Sequence, residues 1–543
     1  MSSEDFYNSN DSKFKSFTAQ IDKSLKGFEY STEWADLISA LGRLIKVIQS
    51  NAKTGYVPRS FLIGKRIAQC LHPALPPGVH CKALECYDAI FRTIGLERLA
   101  LDLPIYGSGL FALLGLSAMT VKPPLFDIFE EHLLPLGTSL HPAFMGLLQG
   151  ILPGLEQGAE FSERGNRMME MFCAAVGPKF FYTCLWKLLI DVPSVRHFGI
   201  SFVINRFNKR KSIMEQDFIY GLDRHILLES LCCLFGDSVL LVQRDALDFL
   251  QIALPIHLHA SSSMTIADGP LSAAELSALC SCALSILLQR DASLNRRLFA
   301  WLRGSQLVEI VRSDCSSVTI NQPVSLALSV LGDSPKLAEY IASQPHPSVE
   351  NNQVAQNCYF SLYSRDILID AVRRIIRSPT SLSLQNPSNQ IWIPGHSTVK
   401  SLLNNMATER NIAERPFRIV TGLLDRSDLG GSIIECLLPE ILWYTYAQFH
   451  VLQQRSDAWF SNDAATLIGS DMLCQFKMRT VNDATECEQS AVENISNMIM
   501  DHVRAKDSTK PLSLRKFVNT VRVHTCCVHE CTLLAWGLVV GLN

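Results

Sequence analysis

Apolar residues recur at spacings of three and four along most of the chain, which is the pattern of helices that bury one face. Strand-type alternation is scarce. In one clear case, the apolar stripe consists of Ala83, Leu84, Tyr87, Ile90, Phe91 and Ile94. Gly95 follows this stripe at the position where a helix C-cap belongs, so we predict that the helix ends there.

Proline and glycine clusters separate the predicted helices. The run from Ile63 to Leu71 stops at His72-Pro73, because a residue before proline is pushed out of the α region. Helices of about 12 to 20 residues joined by short turns are repeated downstream, without a fixed repeat signature. The pattern predicts an all-α fold, namely an elongated α-solenoid of stacked helix pairs of the HEAT or armadillo kind.

Two predicted helices carry a tryptophan on their apolar stripe. In the first, Trp34 shares a face with Leu37, Leu41, Leu44 and Ile48, so we expect Trp34 to lie in the core. In the second, the stripe consists of Leu294, Leu298, Trp301 and Leu302. Either Asp291 or Ser293 can cap this second helix.

The second helix also concentrates positive charge, at Arg290, Arg296, Arg297 and Arg303. One interpretation is that these arginines bridge neighbouring helix ends by pairing with carboxylates and carbonyls. The other is that Arg296 and Arg297 face an acidic partner, either lipid headgroups or an acidic adaptor surface. Arg296 and Arg297 are therefore candidate partner contacts.

Composition and charge narrow the class of protein. Of the 543 residues, 48% are hydrophobic and 19% are charged, so most of the chain should fold. The net charge of −3 provides no excess of positive charge for nucleic-acid binding. The polar, acidic start MSSEDFYNSN is unlike a secretory signal, and the apolar runs are too broken to span a bilayer. In a reducing compartment the 17 cysteines should be buried thiols.

Motifs for metal binding and catalysis do not emerge. Cysteines and histidines cluster at 70–86 and at 524–531, but without Cys-x-x-Cys spacing. We interpret the first cluster as core thiols and turn histidines. A structural zinc site is the less favoured alternative for the second, and neither is predicted as a metal site. Phosphate loops, nucleophile elbows and His-Glu-x-x-His are not found. We predict a non-enzymatic scaffold without metal or cofactor. The alternative is a lipid-binding or lipid-modifying activity in a groove of the solenoid.

Four long segments carry a family resemblance. They are EYSTEWADLISALGRLIKVIQSNAK, IGKRIAQCLHPALPPGVHCKALECYDAIFRTIG, LLPLGTSLHPAFMGLLQGILPGLEQGAEFSERGN and LLQRDASLNRRLFAWLRG. In this order they closely resemble the N-terminal region of the Dopey family, over residues 11 to 303. The organisation we expect is a flexible N-terminus (1–10), a Dopey-like helical-repeat region (11–342), a loop-rich insertion with one helix (343–401) and further, truncated helical repeats (402–543).

The resemblance implies a cytosolic protein that acts in membrane traffic, peripherally on trans-Golgi network and endosome membranes. It also implies partners: a large scaffold related to Arf exchange factors, kinesin light chain and, in some lineages, a phospholipid flippase. The family supplies no catalytic residues. Its members are much longer, which implies that this chain is a fragment, a short isoform or an incomplete gene model.

Short ligands of kinesin light chain centre on a tryptophan between acidic residues, and two segments resemble them. One is Glu33-Trp34-Ala35-Asp36-Leu37, where the apolar stripe favours a core position for Trp34. The other is SDAWFSND, where Trp459 lies between Asp457 and Asp463 in polar surroundings. Trp459 is therefore the better exposed candidate.

Overall fold

The described part of the chain is built of helices. The computed structural model describes residues 12–29, 33–155, 161–208, 214–257, 271–305, 356–377 without 358, and 418–423 without 421. Its helices are α1 (Ser12–Glu29), α2 (Trp34–Ser50), α3 (Ser60–Gln69), α4 (Pro77–Leu110), α5 (Leu113–Leu116), α6 (Lys122–Ile128), α7 (Phe144–Ile151), α8 (Ser162–Val176), α9 (Pro178–Asp191), α10 (Arg196–Arg206), α11 (Arg224–Phe235), α12 (Leu240–Ala253), α13 (Ala273–Leu284), α14 (Ala292–Leu302) and α15 (Arg365–Arg377). These residues contain no strand, so the predicted all-α class is confirmed.

The chain divides into two compact units, Met1–Ser230 and Leu231–Asn543. In the first unit each helix packs mainly against helices close to it in the sequence. Helix α1 packs on α2, both α2 and α3 pack on α4, and α8 packs on α9. Such local packing of successive helices is the pattern of stacked helix pairs, as predicted from the apolar period.

Helix α4 runs from Pro77 to Leu110 and contains a glycine in the left-handed conformation. Pro76 precedes it and Pro77 is its first residue, a position that needs no backbone N–H donor. The predicted stripe is buried, with Tyr87 and Ile90 fully enclosed. Gly95 has the left-handed φ, 72°, that a helix C-cap takes, as predicted, but helical structure resumes beyond it and continues to Leu110. Glycine tolerates this left-handed value, so the chain can pass through it and go on along α3.

An irregular segment joins α6 to α7. It consists of a π-helix, Phe129–Leu133, followed by a 3-10 segment, Leu134–Ala143. Gly137 in the second part has φ 53° and ψ −126°, a combination that side-chain-bearing residues avoid. The π-helix places Glu131 and His132 beside α4, where they meet polar side chains described below.

In the second unit α12 packs on α14, and α13 packs on α15. The predicted stripe of α14 is buried at all of its positions: Leu294, Leu298, Trp301 and Leu302. Of the two predicted caps it is Asp291 that acts, since its Oδ1 accepts a hydrogen bond from the Leu294 backbone at 2.8 Å. This part of the prediction is confirmed.

No single described helix is long and apolar enough to cross a membrane. The pair α8 and α9, bent by 117° at their junction, meets the length and composition criteria only when both are taken together. Their large apolar side chains, including Phe172, Leu185 and Trp186, are buried inside the protein.

Candidate functional site

Arg297 joins two helices. Its Nε donates to Oδ1 of Asp248 on α12 at 2.7 Å, and its Nη1 donates to Oγ of Ser293 at 2.7 Å. The carbonyl oxygen of Arg297 accepts a further hydrogen bond from Nε2 of Gln251 at 3.0 Å. These contacts hold α14 against α12, as the bridging interpretation of the arginines describes.

Arg296, the next residue, is placed differently. Its side chain is exposed, and it forms no hydrogen bond or ion pair with the part of the chain that the structure describes. Arg290 is also exposed, at a left-handed φ of 56° just before α14 begins. The fold therefore places the two candidate contact arginines in different environments. Arg296 is open to a partner, whereas Arg297 is already engaged with α12.

Trp34 is not in the core, so that expectation is wrong. Its side chain is 58% exposed at the first position of α2. Burial along α2 begins only at Ala40. Helix α4 starts opposite Ile38, since a Cβ atom on Gly78 in its first turn would lie 3.8 Å from Cδ1 of Ile38, so the first turn of α2 extends beyond α4. Glu33 and Asp36 flank Trp34 in a capping box, with the Glu33 backbone N–H donating to Oδ2 of Asp36 at 3.3 Å. Trp34 is thus an exposed indole between two carboxylates.

A polar network on α4 was not predicted. Nε of Arg92 donates to both carboxylate oxygens of Asp88, at 2.8 and 2.9 Å, and its Nη2 donates to Oε2 of Glu131 at 2.6 Å. Nε2 of His132 lies 2.8 Å from Oδ1 of Asp88. The spacing of Asp88 and Arg92 by four residues was the available signal, but the π-helix that brings in Glu131 and His132 has no simple sequence pattern.

This network resembles a metal site, because ligand atoms of Asp88, Glu131 and His132 lie within 4.8 Å of one another. The guanidinium of Arg92, however, already binds both carboxylates and supplies the positive charge that a metal ion would bring. Burial acts to raise the pKa of Asp88, but hydrogen bonds from Arg92 and His132 outweigh it and lower that pKa. The arrangement is best described as an ion pair that joins α4 to the π-helix.

Two hollows lie along α3, α5 and α7. One hollow, of about 1040 Å³, is lined by α3, the end of α4 and α5. A second, of about 680 Å³, is lined by the end of α4, α5 and α7. Both are lined by Pro104, Gly109, Ala112 and Leu116, so they adjoin. We call the two together the α3–α7 groove.

The family of this chain is shown by comparison with known proteins. The family model described as "Dopey, N-terminal" matches residues 11–307, more than half of the chain. This chain belongs to the Dopey family. The matched range agrees with the extent of the resemblance, residues 11 to 303.

Curated relatives of the Dopey chain are much longer than it is. The Drosophila melanogaster protein "Protein DOP1 homolog" is 38% identical over 436 residues, which are 80% of this chain and 14% of the relative. Mouse "Protein DOP1B" is 35% identical over 442 residues, 81% of this chain and 17% of the relative. Yeast "Protein DOP1" is 24% identical over 509 residues, which are 84% of this chain and 26% of the relative. No solved structure matches.

The thiols and histidines near the start of α4 do not converge as a group of three or more metal-ligating atoms within the described part of the Dopey chain. Cys70 and Cys86 are buried, and burial raises the pKa of Cys70 to about 11 and that of Cys86 further still. Nε2 of His80 bonds to the carbonyl oxygen of His72 at 3.0 Å, while the His72 side chain is exposed. Protonated thiols of this kind are poor nucleophiles and poor metal ligands.

Two further candidates fall outside the described residues. Trp459, the predicted exposed tryptophan, is one of them, and its role in partner contact stays a prediction. The cysteine and histidine cluster at 524–531 is the other.

Proposed function

We propose that this chain is the N-terminal part of a non-enzymatic scaffold in vesicle-mediated protein transport between the trans-Golgi network and endosomes. The observation that carries the proposal is the family match over residues 11–307. Packed helix pairs support it, since such arrays offer long binding surfaces. On this proposal the protein is cytoplasmic and associates peripherally with trans-Golgi network and endosome membranes.

The proposed partners are a scaffold related to Arf exchange factors, kinesin light chain and a phospholipid flippase. For kinesin light chain, the contact we propose is Trp34. Its exposure of 58% leaves most of the indole available, and Glu33 and Asp36 place negative charge on both sides of it. Burying such a side chain in a partner's pocket stabilises a complex by about 2 kcal/mol or more.

The test is direct binding of the full 543-residue chain to purified kinesin light chain and to the Arf-exchange-factor-related scaffold. We expect both to bind. We expect Trp34→Ala to weaken the binding of kinesin light chain about thirtyfold and to leave the binding of the scaffold unchanged. Leu222→Ala is the matched control, because Leu222 is 66% exposed in the same unit. If neither partner binds the unaltered chain, the transport proposal fails.

Arg296 is the proposed contact for an acidic surface, either lipid headgroups or an adaptor. It is exposed and makes no ion pair with the described residues, so its charge is available at no structural cost. A lipid-modifying activity has less support. The α3–α7 groove is lined mainly by apolar and small residues, whereas catalysis needs several polar groups that converge on one point.

A further inference from the structure

The floor of the α3–α7 groove consists of closely packed backbone. A Cβ atom added at Gly64 would lie 3.1 Å from the carbonyl oxygen of Ile105, so α3 and the end of α4 meet at backbone distance. A Cβ at Gly150 would lie 1.8 Å from the carbonyl oxygen of Phe111, so α7 is equally close to the chain before α5. Helices already in such contact cannot move together to fill the hollows. The groove is therefore preformed, which lowers the entropic cost of binding.

The rim of the groove exposes large apolar side chains. Phe61 on α3 is 72% exposed and Leu116 at the end of α5 is 60% exposed, and both line the larger hollow. Covering each of them removes apolar surface from water and so favours binding. A partner that spans both hollows gains from the floor as well as from the rim.

The lining of the groove carries positive charge and no negative charge. Lys65 lines the larger hollow, and neither hollow is lined by an Asp or a Glu. The Lys65 side chain is exposed and has no ion pair with the residues that the structure describes. A carboxylate on the partner would complement it, whereas the smaller hollow has no charged lining. The groove thus has a basic end and an apolar end.

Among the common modes of peptide recognition, a helix fits this surface best. Strand addition needs a free sheet edge, and the described residues contain no strand. A flat bilayer does not reach the floor of a concave groove. A helix laid in the groove places residues at every third and fourth position against the small residues Ala112 and Gly146.

We propose that the α3–α7 groove binds an amphipathic helix of a partner protein, with its apolar stripe along both hollows and a carboxylate facing Lys65. The inference concerns binding chemistry and does not depend on the transport role. It predicts a polarity, because the carboxylate belongs at the α3 end and aliphatic residues at the α7 end.

The test begins with selection. The full chain is presented to a displayed library of peptides about 16 residues long, roughly four helical turns, and selected peptides are labelled and measured by fluorescence anisotropy. We expect peptides with apolar residues at helical spacing and an Asp or Glu at one end. Ala112→Trp, which blocks the junction of the hollows, should weaken binding more than tenfold, by about 1.4 kcal/mol. Ala52→Trp, at an exposed residue outside the groove, should leave binding unchanged.

Charge reversal supplies the second arm. Lys65→Glu should weaken the binding of the selected peptides about fivefold. It should strengthen the binding of peptides in which lysine replaces the carboxylate. Lys46→Glu, at an exposed lysine of α2, is the matched control. Circular dichroism checks that each variant folds, and if Ala112→Trp does not, Gly146→Trp takes its place, since a Cβ at Gly146 meets only Phe111 Cδ2, at 3.6 Å.

Three outcomes overturn the proposal. In the first, no peptide is enriched. In the second, the enriched peptides bind the chain and both groove-filling variants equally well, so that they bind elsewhere. In the third, a fluorescent fatty acid binds and is blocked by Ala112→Trp while no peptide binds, which makes the groove a lipid site.

Discussion

Helices α2 and α14 have the same sequence design and different surroundings. Each carries a tryptophan on the apolar stripe of an amphipathic helix. Trp301 of α14 is 2% exposed and donates from Nε1 to the carbonyl oxygen of Leu254 at 2.8 Å. Trp34 of α2 is 58% exposed. An apolar stripe therefore identifies the inward face of a helix, but the length of the packed partner decides how much of that face is covered.

The neighbouring arginines of α14 repeat this contrast within a single turn. Arg297 faces α12 and pairs with Asp248, with about a third of each side chain exposed, at 30% and 37%. Arg296 is rotated by about 100° around the helix and faces solvent. One residue is thus engaged in the fold and the next is open to a partner.

The largest expected effect belongs to Trp301. Trp301→Ala removes a buried side chain and leaves a cavity, which should cost about 3–5 kcal/mol. Hydrogen exchange of the α14 amides measures the free energy of opening this helix. A cost below about 1 kcal/mol would show that α14 does not depend on this tryptophan, and would break the contrast with α2.

Trp301→Phe separates the hydrogen bond of Trp301 from its packing, because phenylalanine keeps an aromatic ring but has no N–H donor. The carbonyl oxygen of Leu254, a fully buried residue, then loses its indole donor, with an expected cost of about 1–3 kcal/mol. The same exchange measurement applies. Trp301→Phe removes the hydrogen bond and Trp301→Ala removes the ring as well, so the alanine variant should lose more stability than the phenylalanine variant. If Trp301→Phe is neutral, packing alone accounts for the stabilisation by Trp301.

Arg297→Ala should cost about 1 kcal/mol, because a partly exposed ion pair contributes little more than that. A double-mutant cycle with Asp248→Ala separates the pair from other losses. The effects of the two changes should be less than additive. Strict additivity would mean that the contact between Arg297 and Asp248 contributes nothing to stability.

The smallest effects on stability are expected at Trp34 and Arg296. Trp34→Ala and Arg296→Glu should each change stability by less than about 0.5 kcal/mol, since surface positions without packed neighbours rarely contribute more. Thermal unfolding followed by circular dichroism is the measurement. For Arg296→Glu we also expect weaker sedimentation with phosphatidylserine vesicles or weaker adaptor binding. A large drop in melting temperature would show a structural role and end the contact hypothesis for that residue.

The helical class, most of the buried stripes and the cap at Asp291 could be predicted from the sequence, because apolar period and capping chemistry act within a few residues. The sequence also carried the family resemblance. Three features depend on neighbouring helices and became visible only in the folded chain: the exposure of Trp34, the resumption of α4 beyond Gly95, and the network around Arg92. These outcomes depend on which helix lies opposite and how far it extends, and contacts between residues some 40 positions apart leave no period in the sequence.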